Sequence, residues 1–361
     1  MTHYYFIVGE ASGDLHASNL IRELKSLNNK STFSGFGGDL MQSVGFKISK
    51  HYQEMAFMGF WEVLKNLGII KKNFKQAKSE ILENNTDVLV LVDYPGFNLP
   101  MARFAKKNGI KVVYYITPQV WAWKESRVKL LKRDVDLLIP ILPFEKSFFE
   151  KHGLKCTYVG HPLLDVLHTV DSSRIEAEKP IIALLPGSRK QEISTSLPIM
   201  MEVTKAFENY QFVIAGAPSI SNEFYRNITR DSYIPILNNQ THALLKASKV
   251  ALVTSGTATL EAAILKVPQL VCYKTSRISY LLGKLLVKVK YIALVNLICQ
   301  KEVVKEFIQK DFNAEQLILH LNLLLDNKTR KKILIDYDHL IDLLGEKGAS
   351  LRAAQAIHNL V

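Results

Sequence analysis

The sequence has few cysteines and lacks the spacings that metal-binding residues usually show. Only Cys156, Cys272 and Cys299 occur among the 361 residues, and they lie far apart. No Cys-x-x-Cys or His-x-x-x-His pattern is present, and no Asp-x-Asp pair stands at a predicted strand end. These absences argue against a zinc framework, a redox dithiol or a disulfide scaffold. They predict buried thiols in a reducing compartment and an active site without a metal.

A signal peptide, a membrane span and low-complexity tracts are missing as well. The N-terminus has neither the basic region nor the small-residue cleavage site of a signal peptide. Charges interrupt both long apolar stretches, residues 55–70 and 280–295, before about 20 apolar residues accumulate, which is the length a spanning helix needs. We therefore expect a folded, cytoplasmic protein.

Positive charge predominates, because 46 lysines and arginines against 34 acidic residues give a formal net charge of +12. Lysines cluster beside the two apolar stretches, at Lys71, Lys72, Lys75 and Lys78 and at Lys284, Lys288 and Lys290. Apolar groups flanked by ammonium groups suit a surface that rests on anionic lipid. An amphipathic helix that packs on the core and exposes a basic face is the alternative for each cluster.

Short apolar runs alternate with helical patterns, which is typical of β-α units in doubly wound parallel sheets. The chain exceeds the usual size of one core, so we expect two domains with a cleft between them. The predicted strands are 4–8, 87–92, 111–116, 137–141 and 156–159, then 181–185, 211–215, 234–237, 250–254 and 269–273. A polar stretch at 165–179 predicts domains at 1–170 and 171–345, followed by a C-terminal helix at 346–361.

The first predicted strand ends in a turn, residues 9–14, that holds two carboxylates and two glycines. The Gly-x-Gly-x-x-Gly spacing is absent, and two acids would repel a pyrophosphate, so the hydroxyls of a sugar acceptor are the better ligands. The candidate acceptor-binding residues are Glu10, Ser12, Gly13 and Asp14. Alternatively, Ser12 or Asp14 only caps the following helix.

Asp93 directly follows the predicted strand 87–92, and we expect residues 94–98 to form a loop. A carboxylate at this edge of a parallel sheet can act as a general base on a sugar hydroxyl, ideally with a raised pKa. Asn98 could orient either the acid or the acceptor. The alternative for Asp93 is turn formation through its own side chain.

The strand at 111–116 precedes Gln119 and Trp121, which we also place on the acceptor side, and a second tryptophan at Trp123. Indole rings can stack on sugars or acyl chains while their N–H groups bind hydroxyls. Packing against the neighbouring domain is the alternative for the tryptophans. A basic run follows, and it suits an acceptor phosphate or a solvated helix face: Lys124, Arg127, Lys129, Lys132 and Arg133.

Two turns in the second half favour a nucleoside diphosphate. Gly187, Ser188 and Arg189 combine close backbone approach, a hydrogen-bond donor and a guanidinium that binds phosphate oxygens. The segment 254–261 places small residues at a helix start, where N–H groups and the helix dipole stabilise an anion. Its candidates are Ser255, Gly256, Thr257, Ala258 and Thr259, with Glu261 for the ribose hydroxyls; ordinary helix capping is the alternative.

Six motifs, residues 9–14, 93–98, 120–123, 142–145, 185–189 and 255–261, resemble those of the lipid-A-disaccharide synthase family in order and spacing. The resemblance implies a GT-B fold, in which two Rossmann-like domains face a central cleft. It implies a metal-independent, inverting glycosyltransferase that needs no cofactor. This activity transfers 2,3-diacylglucosamine from UDP-2,3-diacylglucosamine to 2,3-diacylglucosamine 1-phosphate, which yields the β-1,6 lipid A disaccharide and UDP.

The resemblance also implies partners and residue roles. It predicts peripheral association with the anionic inner membrane of a Gram-negative bacterium, and we expect no nucleic acid partner. The sequence leaves open whether the C-terminal helices cross back to the first domain or to a partner subunit in a homodimer. Asp93 matches the family's essential acid, Glu10 and Asn98 match acceptor-side residues, and Arg189, Glu261 and Asn296 match donor-side residues. The sequence departs from the family at Gly96, usually a second aspartate, and at Ala11, commonly a threonine.

Two other functions remain open on the sequence. A UDP-sugar 2-epimerase shares the fold and the diphosphate site but needs no lipid surface. A noncatalytic, basic lipid-binding protein would bind membranes without releasing UDP.

Overall fold

A computed structural model describes residues 1–55, 66–168, 175–230, 233–276, 280, 281, 283, 284 and 289–361, without the side chains of Trp123 and His168. Much of the two long apolar stretches, 55–70 and 280–295, which were predicted to rest on anionic lipid, lies outside the described residues. The contacts divide the chain into two units. The first comprises Met1–Asp165 and Glu346–Val361, and the second comprises Val166–Gly345.

The first unit contains a six-stranded parallel sheet in the order β3-β2-β1-β4-β5-β6. Its strands are β1 (His3–Val8), β2 (Thr32–Gly37), β3 (Lys47–His51), β4 (Val88–Val92), β5 (Lys111–Tyr115) and β6 (Leu137–Ile139). Every residue of β4 is buried. This is expected of a central parallel strand that is covered on both faces.

The second unit repeats the architecture, with the sheet order β12-β11-β10-β7-β8-β9 and parallel pairing throughout. Its strands are β7 (Ile181–Leu185), β8 (Gln211–Gly216), β9 (Ile236–Asn238), β10 (Ser248–Thr254), β11 (Gln269–Tyr273) and β12 (Lys305–Ile308). The predicted doubly wound parallel sheets are therefore confirmed.

Helices cover both faces of each sheet. In the first unit they are α1 (Ala11–Leu27), α2 (Asp39–Ser43), α3 (Leu67–Glu83), α4 (Pro95–Lys107), α5 (Val120–Trp123), α6 (Val128–Asp134), α7 (Pro143–Lys151) and, at the C-terminus, α16 (Ala349–His358). The helix α8 (Leu163–His168) bridges the boundary. In the second unit they are α9 (Lys190–Thr204), α10 (Asn222–Thr229), α11 (Thr241–Ala247), α12 (Thr257–Ile264), α13 (Leu294–Cys299), α14 (Ala314–Leu325) and α15 (Asn327–Leu344). No helix in the described part of the chain is long and apolar enough to cross a membrane.

The C-terminal helix α16 belongs to the first unit, although it follows the second unit in sequence. Its Ala353, Ala354 and Ile357 are fully buried in the same apolar cluster as residues of β1 and α1. The carboxylate of Asp165 accepts hydrogen bonds from the backbone N–H groups of Gly348 (2.6 Å) and Ser350 (2.8 Å) at the start of this helix. The chain thus leaves the first unit after Asp165, five residues before the predicted boundary at 170, and returns at Glu346.

Three strands were not predicted, and one predicted strand is wrong. β2 escapes the apolar pattern because it contains two glycines and a serine, and Gly35 has a φ of 129°. A Cβ on Gly35 would lie 2.3 Å from the carbonyl oxygen of Phe6, so the close approach of β1 requires glycine there. β3 and β12 are short edge strands that carry lysines. Residues 156–159, predicted as a strand, form no strand.

Candidate active site

Asp93 lies immediately after β4, in a turn of unusual backbone conformation. Asp93 and Tyr94 both have left-handed φ angles, 45° and 46°, and α4 begins at Pro95. The prediction of a loop at 94–98 is therefore wrong, because proline is favoured in the first turn of a helix, where its missing N–H costs nothing. Two successive non-glycine residues with positive φ are costly, and such strain concentrates at functional sites.

Three hydrogen bonds hold the backbone of Asp93 in this turn. The carbonyl oxygen of Asp93 accepts from the hydroxyl of Tyr114 (2.6 Å) and from the side-chain amide of Asn98 (2.8 Å). The backbone N–H of Asp93 donates to the carbonyl of Ile116 (3.0 Å), and Ile116 also has a left-handed φ, 61°. Asn98 is fully buried, and its amide also donates to the carbonyl of Val92 (3.1 Å). Asn98 therefore supports the backbone of the turn, which differs from the predicted contact with the acceptor.

The carboxyl group of Asp93 is open to solvent, yet its protein surroundings raise its pKa to about 7. Loss of hydration is the largest cause, and the neighbouring carboxylate of Glu10 is the second. Asp93 contacts water on one side and is surrounded by dense protein on its other sides. Its carboxyl group can therefore be exposed and still lose hydration, since hydration also depends on atoms beyond direct contact. A carboxyl group that titrates near neutral pH can accept a proton and release it again.

Glu10 lies beside Asp93 because β1 and β4 are neighbouring strands. It is half-buried at the start of α1 and follows Gly9, where a Cβ would lie 2.6 Å from the ring of Tyr94. Ser12 is half-buried, whereas Gly13 is buried and a Cβ there would lie 2.8 Å from a methyl group of Val8. The two glycines let α1 and the Tyr94 ring pack against the strand ends, and Glu10 remains as the acidic neighbour of Asp93.

Asp14 has a structural role that the sequence did not indicate. Its carboxylate is buried and accepts hydrogen bonds from the backbone N–H groups of Gly38 (2.9 Å), Leu40 (3.1 Å) and Met41 (3.1 Å). It thereby caps the N-terminus of α2 rather than its own helix, and a capping carboxylate satisfies N–H groups that lack a partner in the helix. The predicted acceptor contact through Asp14 is therefore not supported by its geometry.

The third strand end, after β5, is organised by Glu145, which the sequence did not single out as a site residue. The buried carboxylate accepts from Thr117 Oγ1 (2.9 Å), Trp121 Nε1 (3.0 Å) and the N–H groups of Ile141 and Leu142. Burial raises the pKa of Glu145 to about 7, against the effect of these donors.

Trp121 thus uses its indole N–H inside the first unit, and its ring packs edge-on against Phe144 at 4.8 Å between centroids. It is half-buried, whereas Gln119 is exposed. Gln119 is therefore the one acceptor-side candidate after β5 that is open to solvent, among those whose side chains the structure describes. Glu145 could have been found from its position as the third residue of α7, three residues after the N-cap Leu142, where a glutamate often bonds back to the helix start.

In the second unit, β7 ends in a turn that one glutamate organises. Gly187 has a φ of 122°, and the carboxylate of Glu192 accepts from the N–H of Ser188 (2.9 Å) and from Arg189 Nη1 (2.8 Å). A Cβ on Gly187 would lie 2.6 Å from the Cβ of Glu192, so only glycine fits under this side chain. Ser188 and Arg189 are exposed. The sequence prediction identified the turn but not Glu192, which holds it.

The turn after β10 places the start of α12 at the same end of the sheet. Gly256 and Thr257 are exposed, and Ala258 and Ser255 are half-buried. The hydroxyl of Thr259 is directed inward and donates to the carbonyl of Gly256 (2.8 Å). The hydroxyl of Thr259 therefore bonds back within the first turn of the helix and no side chain caps its N–H groups, so the exposed residues at the helix start are the ones available to an anion.

Glu261 and Asn296 differ in accessibility. Glu261 is half-buried and lies 3.2 Å from Nε2 of His242, in the first turn of α11. Asn296 is fully buried, and its side chain bonds the backbone of Val303 and Val304 and the carboxylate of Glu306. All of its hydrogen-bonding capacity is used within the second unit, so the predicted direct contact of Asn296 with the donor is not supported by its geometry.

Among the described residues, no group of three or more histidine, cysteine or acidic side chains is placed to hold a metal ion. His161 is buried and packs edge-on against His16, and burial lowers its pKa to about 3. It is a neutral core histidine at physiological pH.

Comparisons with known proteins agree over the whole chain. A family model described as lipid-A-disaccharide synthetase matches residues 4–360. The lipid-A-disaccharide synthase of Trichlorobacter lovleyi is 35% identical, over 98% of this chain and 96% of its own length. The lipid-A-disaccharide synthase of Syntrophus aciditrophicus is 38% identical, over 96% of this chain and 95% of its own length.

Solved structures add evidence on the fold alone. The UDP-GlcNAc 2-epimerase from Neisseria meningitidis bound to UDP-GlcNAc has a TM-score of 0.69 and 14% identity, over 99% of this chain and 100% of that chain. At this identity the likeness supports the GT-B fold and carries no information on the reaction.

Proposed function

The chain belongs to the lipid-A-disaccharide synthetase family, and on that premise we propose how its two units share the reaction. The enzyme transfers 2,3-diacylglucosamine from its UDP derivative to 2,3-diacylglucosamine 1-phosphate and releases UDP. We assign the acceptor and the general base to the first unit and the UDP-sugar donor to the second.

Asp93 is the proposed general base. Its carboxyl group is accessible, stands at the carboxyl end of β4, and has a pKa of about 7. In the ionised form it takes the proton of the acceptor 6-hydroxyl while that oxygen attacks the anomeric carbon of the donor. The bond to the UDP oxygen breaks on the opposite face, so the configuration at this carbon inverts. The raised pKa is the observation that carries the assignment, because base strength near the working pH favours proton transfer.

Glu10 completes the acceptor side. As a neighbouring carboxylate it raises the pKa of Asp93, and it can accept a hydrogen bond from a second acceptor hydroxyl. Ser12 and Gln119 are the further acceptor contacts that their exposure permits. Asn98 supports the backbone of Asp93, whereas the hydrogen bonds of Asp14 to the start of α2 and of Trp121 to Glu145 stabilise the first unit away from these groups.

The donor diphosphate is assigned to the turn 187–189 and the start of α12. Arg189 supplies positive charge, and the N-terminus of α12 supplies backbone N–H groups with the positive end of the helix dipole. These groups stabilise the negative charge that develops on UDP as it leaves. Glu261, one turn into α12, binds the ribose hydroxyls.

The basic helix α3 is assigned to the membrane surface. Lys71, Lys72 and Lys75 are exposed, as are Leu67 and Ile69 at its start, each with 44% of its surface accessible. Exposed apolar groups beside several lysines attract an anionic bilayer. Flotation with anionic vesicles, but not with neutral ones, is the expected result, and charge reversal at the three lysines should abolish it. Equal flotation with both vesicle types would contradict the assignment.

The base assignment is tested with Asp93→Asn, which keeps the size of the side chain and removes the proton acceptor. We expect kcat to fall by a factor of about 100 to 10,000, the usual contribution of a general base, with little change in UDP affinity. Asp14→Asn is the control, because this buried acid belongs to the same unit but caps α2. Near-normal turnover of Asp93→Asn with intact folding would refute the assignment.

A further inference from the structure

Tyr114 lies beneath the turn that carries Asp93 and has no place in the proposed chemistry. It is the fourth residue of β5, pairs with Leu91 of β4 and is fully buried. Its hydroxyl donates to the carbonyl oxygen of Asp93 at 2.6 Å. A buried tyrosine hydroxyl normally finds a partner, so the contact alone does not establish a role in the reaction.

The backbone conformation of the accepting residue makes this contact informative. Asp93 and Tyr94 both have left-handed φ angles, a conformation that is unfavourable for residues other than glycine. Such a conformation persists only when its surroundings enforce it. The carbonyl of Asp93 receives two buried donors, Tyr114 and Asn98, which fix the peptide between Asp93 and Tyr94.

The direction of the Asp93 side chain depends on this peptide, because φ and ψ of a residue set where its Cβ points. A small rotation of the backbone would move the carboxylate away from the hydroxyl that it deprotonates. Misplacement of a reacting group by about 1 Å can cost roughly a hundredfold in rate. We propose that Tyr114 is a positioning residue that holds the carboxylate of Asp93 in its productive direction; this inference rests on the proposed role of Asp93 as the base.

The neighbouring residue Tyr115 offers a matched control. It is equally buried in the same strand, but it packs into the apolar cluster on the other face of the sheet, beside α1 and α16. The hydroxyl of Tyr115 is close to Ser350, which lies in α16. Tyr115→Phe therefore removes a buried hydroxyl from the same strand without touching the turn at Asp93.

The experiment compares Tyr114→Phe with Tyr115→Phe at a temperature where circular dichroism shows both to be folded. We expect Tyr114→Phe to lower kcat about 10- to 100-fold while KM for the UDP-sugar stays within about twofold, since only the alignment of the base changes. Tyr115→Phe should leave kcat unchanged. A purely structural role of Tyr114 would instead lower the melting temperature alone.

A second variant tests whether Tyr114 acts through the carbonyl of Asp93. Asn98→Leu removes the other donor to this carbonyl, and the two losses in kcat should be non-additive when combined, because both donors act on one group. Additive losses, or kcat of Tyr114→Phe within twofold of the parent, would overturn the inference. Asp93→Asn in the same assay separates the two proposals. If Asp93→Asn is inactive while the Tyr114 result fails, only the inference about Tyr114 is wrong. If Asp93→Asn is active, the proposed base is wrong.

Discussion

Replacing Glu10 with glutamine is the most direct test of how the protein sets the base strength of Asp93. The ionised form of Asp93 is the one that accepts a proton, so turnover should fall on the acid side of its pKa, which is about 7. At pH 6 about one tenth of the groups remain ionised, and kcat should be roughly tenfold below its plateau; at pH 5 the loss should be roughly a hundredfold.

The substitution removes the second-largest cause of the raised pKa and keeps the shape of the side chain. Loss of hydration, the largest cause, is unchanged. The midpoint of the acid limb should therefore move below 7 but stay above 3.8, the value for an unperturbed aspartate. At pH 6 the variant should consequently lose less of its own plateau rate than the parent enzyme does.

The assay measures kcat from UDP release at saturating concentrations of both substrates between pH 5 and pH 9. Saturation matters because the acceptor phosphate itself titrates near pH 6 and would enter KM. Glu223→Gln, at an exposed glutamate in the second unit, is the control and should leave the profile unchanged. An acid limb that does not move in Glu10→Gln, or a parent rate that is flat from pH 8 to pH 5.5, would refute the reasoning.

Three further variants test separate parts of the structure. Asp14→Ala should destabilise the protein by about 1–3 kcal/mol in urea unfolding, because three N–H groups of α2 lose their acceptor, and it should leave acceptor KM unchanged. Glu192→Gln should raise KM for the UDP-sugar with little effect on acceptor KM, since the charged partner of Arg189 is lost; an unchanged donor KM would show that the turn does not need it. Gly96→Asp should be accommodated, because no atom lies within 4 Å of a Cβ there. A carboxylate in the first turn of α4 should stabilise the helix by about 0.3–1 kcal/mol. It should also raise the pKa of Asp93 and so shift the acid limb of the kcat profile to higher pH; a shift to lower pH would contradict the electrostatic argument.

The fold could be predicted from the sequence because buried parallel strands are continuous apolar runs. The strand 269–273 was predicted with its observed bounds, whereas β2 was missed because its glycines serve the close approach of β1. The strand ends were also predictable, since parallel strands collect polar residues at one edge. The direction of each side chain was not, because it depends on partners that are distant in sequence.

Asp14 and Asn98 show this limit most clearly. Both have the residue type of a ligand-binding group and lie within a motif, yet the carboxylate of Asp14 binds N–H groups 24 to 27 residues away and the amide of Asn98 binds the backbone of its own turn. A motif therefore identifies the turn that forms the site. Which of its members reach the ligand is decided by hydrogen bonds that only the folded chain contains.

The return of α16 to the first unit has a consequence for the order in which the protein is made. During synthesis the second unit, Val166–Gly345, emerges complete before the ribosome has released α16. Until then the apolar face formed by β1 and α1 lacks Ala353, Ala354 and Ile357, which cover it in the finished protein. The first unit, which begins at the N-terminus, is thus the last to complete its packing. The nascent chain carries an uncovered apolar surface through most of its translation.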